Sequence, residues 1–182
     1  MNSLNEKINT LLKQKDFIII GIDGRCGSGK TTFAEKLSEY FDLNLFKMDD
    51  FFLPKLKKTP ERLSEIGGNC DFERFKKEVL ENIVAQKSFE YFPYDCKSDS
   101  FKNGILVNPK KINIVEGSYS LHPQNIDFFD VKVLLKISKD EQKRRILKRE
   151  GENADMFFNK WIPLEESYFT HIEALYNFDF IY

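Results

Sequence analysis

The stretch FIIIGIDGRCGSGKTT, residues 17–32, decides how this chain must be read. It opens on a continuous apolar run, 17–22, as a strand buried on both faces requires. A glycine-rich segment follows at once. Beyond it Phe33, Ala34, Leu37, Tyr40 and Phe41 recur at helical spacing. Between strand and helix lies the complete pattern G-x-x-x-x-G-K-[ST], with Gly24, Gly29, Lys30 and Thr31 in its fixed places. Glycines at those places let backbone N–H groups turn inward around the β- and γ-phosphates, and the helix start adds its positive end. Lys30 brings a mobile ammonium to the β/γ oxygens, and the Thr31 hydroxyl can ligate Mg²⁺. The loop Gly24, Arg25, Cys26, Gly27, Ser28, Gly29, Lys30, Thr31 and Thr32 is therefore the expected seat of ATP or GTP, with Cys26 a small filler rather than a nucleophile.

Outward from the loop, strand and helix patterns alternate. Residues 4–12 space Leu4, Ile8, Leu11 and Leu12 as a short leading helix. LNLFKM (43–48), KINIVEG (111–117), VKVLLKI (131–137) and FDFIY (178–182) read as further strands. Phe72, Phe75, Val79, Leu80 and Ile83 mark an amphipathic helix, and 164–176 the last one. Ser138 and Glu141 form the capping-box pattern S-x-x-E, opening a helix through Arg149. Between 88 and 107 the pattern turns extended and aromatic, an excursion with short strands in FEYFPY and GILV. Strands alternating with helices imply an α/β fold: three layers around a five-stranded parallel sheet, with ligands beyond the carboxyl ends of the strands.

The bulk numbers narrow the function classes. At 182 residues the chain suits one domain, 1–182. Lys plus Arg is 28 against 29 Asp plus Glu, so no basic excess points to nucleic acid. No apolar run approaches the ~20 residues of a membrane span, and the polar amphipathic N-terminal segment lacks a secretory apolar core. Cys26, Cys70 and Cys96 are odd in number and far apart, so neither a disulfide framework nor a zinc site is indicated. These features suit a cytoplasmic protein with reduced thiols. The aromatic segment 156–169 suits core packing or a dimer contact, which leaves a homo-oligomer open.

A nucleotide site leaves the phosphate acceptor undecided. A signalling GTPase would carry a base-recognition signal such as NKxD, and none is present. A small-molecule kinase needs a carboxylate at the acceptor hydroxyl, an acid for the metal, and cations over the phosphates. Asp49 and Asp50, in MDDFF at the carboxyl end of the second strand, offer the first, and alternation lets only one of them face the loop. Glu116, ending INIV, offers the second, with Thr31. Arg144, Arg145 and Arg149 offer the third; Arg145 and Arg149 share a helix face and suit a lid at about 140–160. His122, in SLHP, follows the Glu116 loop and could brush the acceptor, and Gly67 with Gly68 suggests a turn that closes. A regulatory ATPase that signals through its conformation is the rival from another class.

The motifs GRCGSGKTT, KMDDFF, PYDCKSDS, VEGSYSLHP and the arginine helix stand in the order seen in the uridine kinase and phosphoribulokinase-like family of P-loop kinases, which the chain resembles over about 17–169. MDDFF with Pro54 is also similar to nicotinamide riboside kinases. The resemblance implies a P-loop NTPase fold, ATP and Mg²⁺ as cofactors, and a nucleoside-like small molecule as partner. It implies Asp49 as catalytic base, Lys30, Arg145 and Arg149 on the transferring phosphate, and Thr31 and Glu116 at the metal. Tyr94 and Asp95 fall where uridine kinases carry a Tyr-Asp-Phe stretch contacting the nucleoside, and Asp71 falls near a ribose-hydroxyl acceptor. The His-Ser-Arg run expected next is replaced: Asp99 stands for the His and Phe101 for the Arg. Changed polar partners change the preferred base.

Overall fold

The computed structural model describes all 182 residues, Met1–Tyr182. Helix α1 (Asn2–Leu11) leads into β1 (Ile18–Gly24), the phosphate loop and α2 (Lys30–Ser38). Strand β2 (Leu43–Lys47) follows, then α3 (Pro60–Ser64). Next come α4 (Phe72–Phe75) and α5 (Glu81–Val84), joined through a π turn at Lys76–Leu80. The excursion holds β3 (Phe89–Tyr91), β4 (Tyr94–Asp95), β5 (Ser100–Phe101) and β6 (Ile105–Val107). The chain returns through β7 (Ile112–Glu116), β8 (Val131–Leu135), α6 (Lys139–Glu150) and α7 (Ala154–Met156). After a second π turn at Phe157–Trp161 it ends with α8 (Ile162–Leu175) and β9 (Phe180–Ile181).

The main sheet runs β2-β7-β1-β8-β9 with every neighbouring pair parallel, as the alternating pattern requires. Its two faces are covered by different cores. Ile18, Ile20 and Ile22 pack with Leu4, Ile8, Ala34 and Leu37 of α1 and α2, whereas Ile19 packs with Phe46, Phe75, Val79, Tyr168 and Phe169 on the other face. The period-2 alternation of a strand sends β1 side chains to both layers, so the run 17–22 could carry no polar residue on either side. The excursion folds as two antiparallel pairs, β3 with β6 and β4 with β5.

Three expectations need correction. MDDF is not the end of β2 but a 3₁₀ turn, Met48–Phe51, so strand alternation is not what separates Asp49 from Asp50. The capping box at Ser138 is half made. Ser138 accepts from the Glu141 N–H at 3.3 Å, while the Glu141 carboxylate turns to Arg144 and Arg145. The 72–84 helix is broken by its π turn, which widens one turn and re-aims the apolar stripe.

Candidate active site

Register places the acidic candidates beside the phosphate loop. Glu116 of β7 pairs with Ile22 of β1 on one side and with Lys47 of β2 on the other. Neighbouring strands lie ~4.8 Å apart, so the loop after β1 and the turn after β2 flank Glu116. Gly117 permits the tight approach. Its φ of +141° suits glycine, and a Cβ there would stand 2.8 Å from the Met48 Cβ.

In the loop, Gly29 caps α2 in the left-handed region at φ +95°. Lys30 is folded back: its Nζ donates to the carbonyls of Gly24 (2.6 Å) and Arg25 (3.2 Å) and to Ser118 Oγ (3.3 Å). Thr31 Oγ1 donates to Glu116 Oε1 at 3.0 Å. Glu116 is 4% exposed, and burial pushes its carboxyl up from the ordinary range. A hydroxyl and a carboxylate, both hard oxygen donors, fit Mg²⁺, which takes few protein ligands and completes its shell with phosphates and water. The chain has no cluster of three or more His, Cys, Asp or Glu able to cage a metal by itself. Ser28 Oγ is buried in the loop with no hydrogen-bond partner, which fits a cradle made for an anion. Thr32 is exposed on α2.

The two aspartates of the turn part company. Asp50 accepts from the Tyr91 hydroxyl at 3.4 Å, and its main-chain oxygen is held by the Arg74 guanidinium at 2.6 Å. Burial first, and then the charge of Asp49, push its carboxyl up. Asp49 is exposed and its carboxylate makes no hydrogen bond within the chain. Its charge also pushes up the carboxyl of Glu116 and the thiols of Cys70 and Cys96, after burial in each case, so it lies within electrostatic reach of those groups.

Arg74 stacks over Phe51 at 4.3 Å and Phe101 at 5.2 Å, which fixes the β4–β5 hairpin against the MDDF turn. Within that hairpin the Tyr94 hydroxyl is bound to Asp99, which also accepts from the Lys55 N–H at 3.2 Å. Asp95 caps the hairpin turn by accepting from the Lys97 N–H at 2.9 Å. Asp71 caps α4 through the Arg74 N–H (3.1 Å) and meets Lys57 Nζ at 3.4 Å. Both of its oxygens therefore have partners in the chain. Its main-chain N–H binds the Phe51 carbonyl, so it does lie beside the MDDF turn.

The arginines separate as their spacing predicts. Arg145 donates to the Gly27 carbonyl at 2.9 Å and Arg149 to Cys26 Sγ at 3.2 Å, both on the phosphate loop. Arg144 only clasps Glu141. His122 does not reach toward an acceptor. It is buried, stacks on Phe72 with centroids 3.8 Å apart, and donates from Nε2 to the Ile66 carbonyl at 3.0 Å. Burial lowers its pKa to about 4.

Three functional neighbours were not foreseen. Asp23, fully buried, accepts from the N–H groups of Gly24 and Leu121 and from the Tyr168 hydroxyl. Ser118 and Glu165 meet beside Lys30. Asp23 had a visible signal, a lone carboxylate in an apolar run. Glu165 had none, because one acid among several on a helix looks solvated until the helix is docked.

The model of the KAP family P-loop domain matches residues 1–153. The chain belongs to that family. As a P-loop domain it is similar to a uridine kinase of Clostridium botulinum (strain 657 / Type Ba4), with 24% identity over 163 residues, 81% of this chain and 77% of that one. It is also similar to a shikimate kinase of Caldicellulosiruptor saccharolyticus, with 27% identity over 134 residues, 71% of this chain and 69% of that one. Among solved structures, one described as a possible uridine kinase from Bacillus stearothermophilus superposes with a TM-score of 0.71, covering 99% of each chain at 21% identity. The P-loop domain therefore has the P-loop kinase fold, and the uridine kinase-like resemblance carried by its motifs holds. No helix in it is long and apolar enough to cross a membrane.

Proposed function

We propose that the protein is an ATP-dependent kinase, one domain over 1–182, that transfers the γ-phosphoryl group to a hydroxyl of a nucleoside-like small molecule, uridine-like in class. The observation that carries this reading is Asp49: an exposed carboxylate with no partner in the chain, on the turn beside Glu116 and the phosphate loop. Relatives named uridine kinase and shikimate kinase support a hydroxyl acceptor.

Asp49 accepts the proton of the acceptor hydroxyl as that oxygen bonds to the γ-phosphorus and the bond from phosphorus to the β-phosphate bridging oxygen breaks, releasing ADP. Lys30 leaves the carbonyls of Gly24 and Arg25 for the β/γ oxygens. Arg145 and Arg149, in a lid at about 140–160, swing from the loop carbonyl and Cys26 onto the transferring group. Thr31 and Glu116 would hold Mg²⁺, which when bound neutralises the charge of the phosphates. Tyr94, Asp95 and Asp71 line the acceptor side. A cytoplasmic setting suits three free thiols.

A second acceptor, nicotinamide riboside, is favoured by one feature. Where a uridine site would carry His, Asp99 is held below the usual carboxylate range, chiefly by the Tyr94 hydroxyl. A negative charge beside the base suits a cationic ring better than uracil. ADP release with MgATP across a panel of nucleosides, nicotinamide riboside and other vitamin precursors tests both. Turnover with one of them supports the kinase reading. Hydrolysis untouched by every small hydroxyl compound but raised by a macromolecule would replace it with a regulatory ATPase.

A further inference from the structure

Glu165 is a carboxylate buried against the place where a polyphosphate would arrive. It lies in the first turn of α8 and is 7% exposed. Its Oε2 accepts from the Cys26 N–H at 2.8 Å, and its Oε1 accepts from the Ser118 hydroxyl at 2.9 Å. Ser118 Oγ in turn accepts from Lys30 Nζ at 3.3 Å. One carboxylate therefore links the start of the phosphate loop, the segment after β7 and the ammonium that must meet the β/γ oxygens. The clasp is reinforced on both flanks. Arg25 bonds Glu166 at 2.6 and 3.0 Å and Glu173 at 3.1 Å, both on α8, and Gln142 of α6 donates to the Cys26 carbonyl at 3.0 Å.

Docking a helix does not call for such a group. Tyr168, Phe169 and Ile172 already bury the apolar side of α8 in the core. A buried carboxylate is costly, and one next to an anion site also repels the ligand. Burial raises its pKa, in line with that cost. What it supplies in return is geometry: two hydrogen bonds that a hydrophobic residue could not make.

We propose that Glu165 is a positioning residue for nucleotide binding: through Cys26 and Ser118 it sets the first turn of the phosphate loop and the approach of Lys30 to the β- and γ-phosphates of a nucleoside triphosphate. The inference rests on the loop binding such a nucleotide, and not on which acceptor is used.

The test is MgATP affinity, by calorimetry on the full chain without acceptor, for the parent, Glu165→Ala, Glu165→Gln and Ser118→Ala, with AMP as the ligand that lacks β- and γ-phosphates. Glu165→Ala is expected to weaken MgATP binding tenfold or more while AMP binding changes less than twofold. Glu165→Gln is expected to restore MgATP to within threefold of the parent, because its amide oxygen can still accept from Cys26 while Ser118 turns its hydroxyl to the Gly24 carbonyl, 3.2 Å away. Ser118→Ala, which removes the Ser118 link but leaves the bond from the Cys26 N–H to Glu165 and the Arg25 bonds to α8 in place, is expected to weaken MgATP about threefold to tenfold. A folded Glu165→Ala protein that binds MgATP as the parent does overturns the inference. So does equal loss of MgATP and AMP, the mark of a purely structural role. If Glu165→Ala does not fold, unchanged MgATP affinity in Ser118→Ala overturns it instead. A parent that binds no MgATP sinks the nucleotide reading of the loop, and the inference with it.

Discussion

The Thr31 hydroxyl donates to the Glu116 carboxylate at 3.0 Å, joining the end of the phosphate loop to the end of the strand next to it. Hydroxyl and acid come from positions 85 residues apart in the chain. The parallel pairing of β1 with β7 is what brings them within reach. Glu116→Gln should therefore keep the fold but raise the Mg²⁺ concentration needed for half-maximal turnover by about tenfold to a hundredfold. A magnesium titration at saturating ATP reads this directly, and an unchanged midpoint would remove Glu116 from the metal.

Asp49 and Asp50 make a matched pair of controls. Asp49→Asn should preserve ATP affinity and lower kcat by about 10²–10⁴. Asp50→Asn should cost far less, because Asp50 is occupied with Tyr91 and its carbonyl with Arg74. Steady-state rates for the two variants decide between them. Reversed effects would make Asp50 the base.

Arg145 and Arg149 touch the loop and Arg144 does not. Alanine at Arg145 or Arg149 is expected to lower kcat by about 10²-fold, the scale of losing one charge-stabilising donor. Alanine at Arg144 should leave kcat within twofold. Equal losses at all three positions would mean that the helix, rather than its loop-facing side, is what matters.

His122 predicts a pH signature in stability. Burial holds its folded pKa near 4, below the ordinary 6.5. The unfolded chain therefore takes up the proton first as pH falls. The parent should lose stability from about pH 6.5 downward, a loss complete below about pH 4 and worth up to about 3 kcal/mol. Denaturant midpoints across that range should show the slope in the parent and a flatter one in His122→Asn. Identical slopes would mean that the imidazole is not held neutral.

The strand pattern and the phosphate loop were legible because both are local. Ile18 to Ile22 must be apolar to serve two cores, and the loop tolerates few residues at Gly24, Gly29, Lys30 and Thr31. The spacing of Arg145 and Arg149 likewise put them on one face of α6, the face that meets the phosphate loop. The 3₁₀ turn at MDDF was not legible, because its apolar flanks also suit a strand; the turn shows only once Met48 is seated against Gly117. Asp99 stands where a uridine kinase carries its His, and its bonds to the Tyr94 hydroxyl and the Lys55 N–H were not legible, because Lys55 lies 44 residues away in the chain. Arg74, which clamps turn to hairpin, carried no signal at all, since its partners are a main-chain oxygen and two aromatic rings remote in sequence.

The outermost rung of the main sheet is only two residues long. Beyond its pairing with β8, the Tyr182 N–H binds the Leu134 carbonyl and the Tyr182 carbonyl receives the Lys136 N–H. Trimming the last five residues would leave the flank of β8 bare, with its donors and acceptors open to any extended peptide in solution. Such a shortened protein should gather into strand-sharing aggregates even though every group that handles phosphate is still in it.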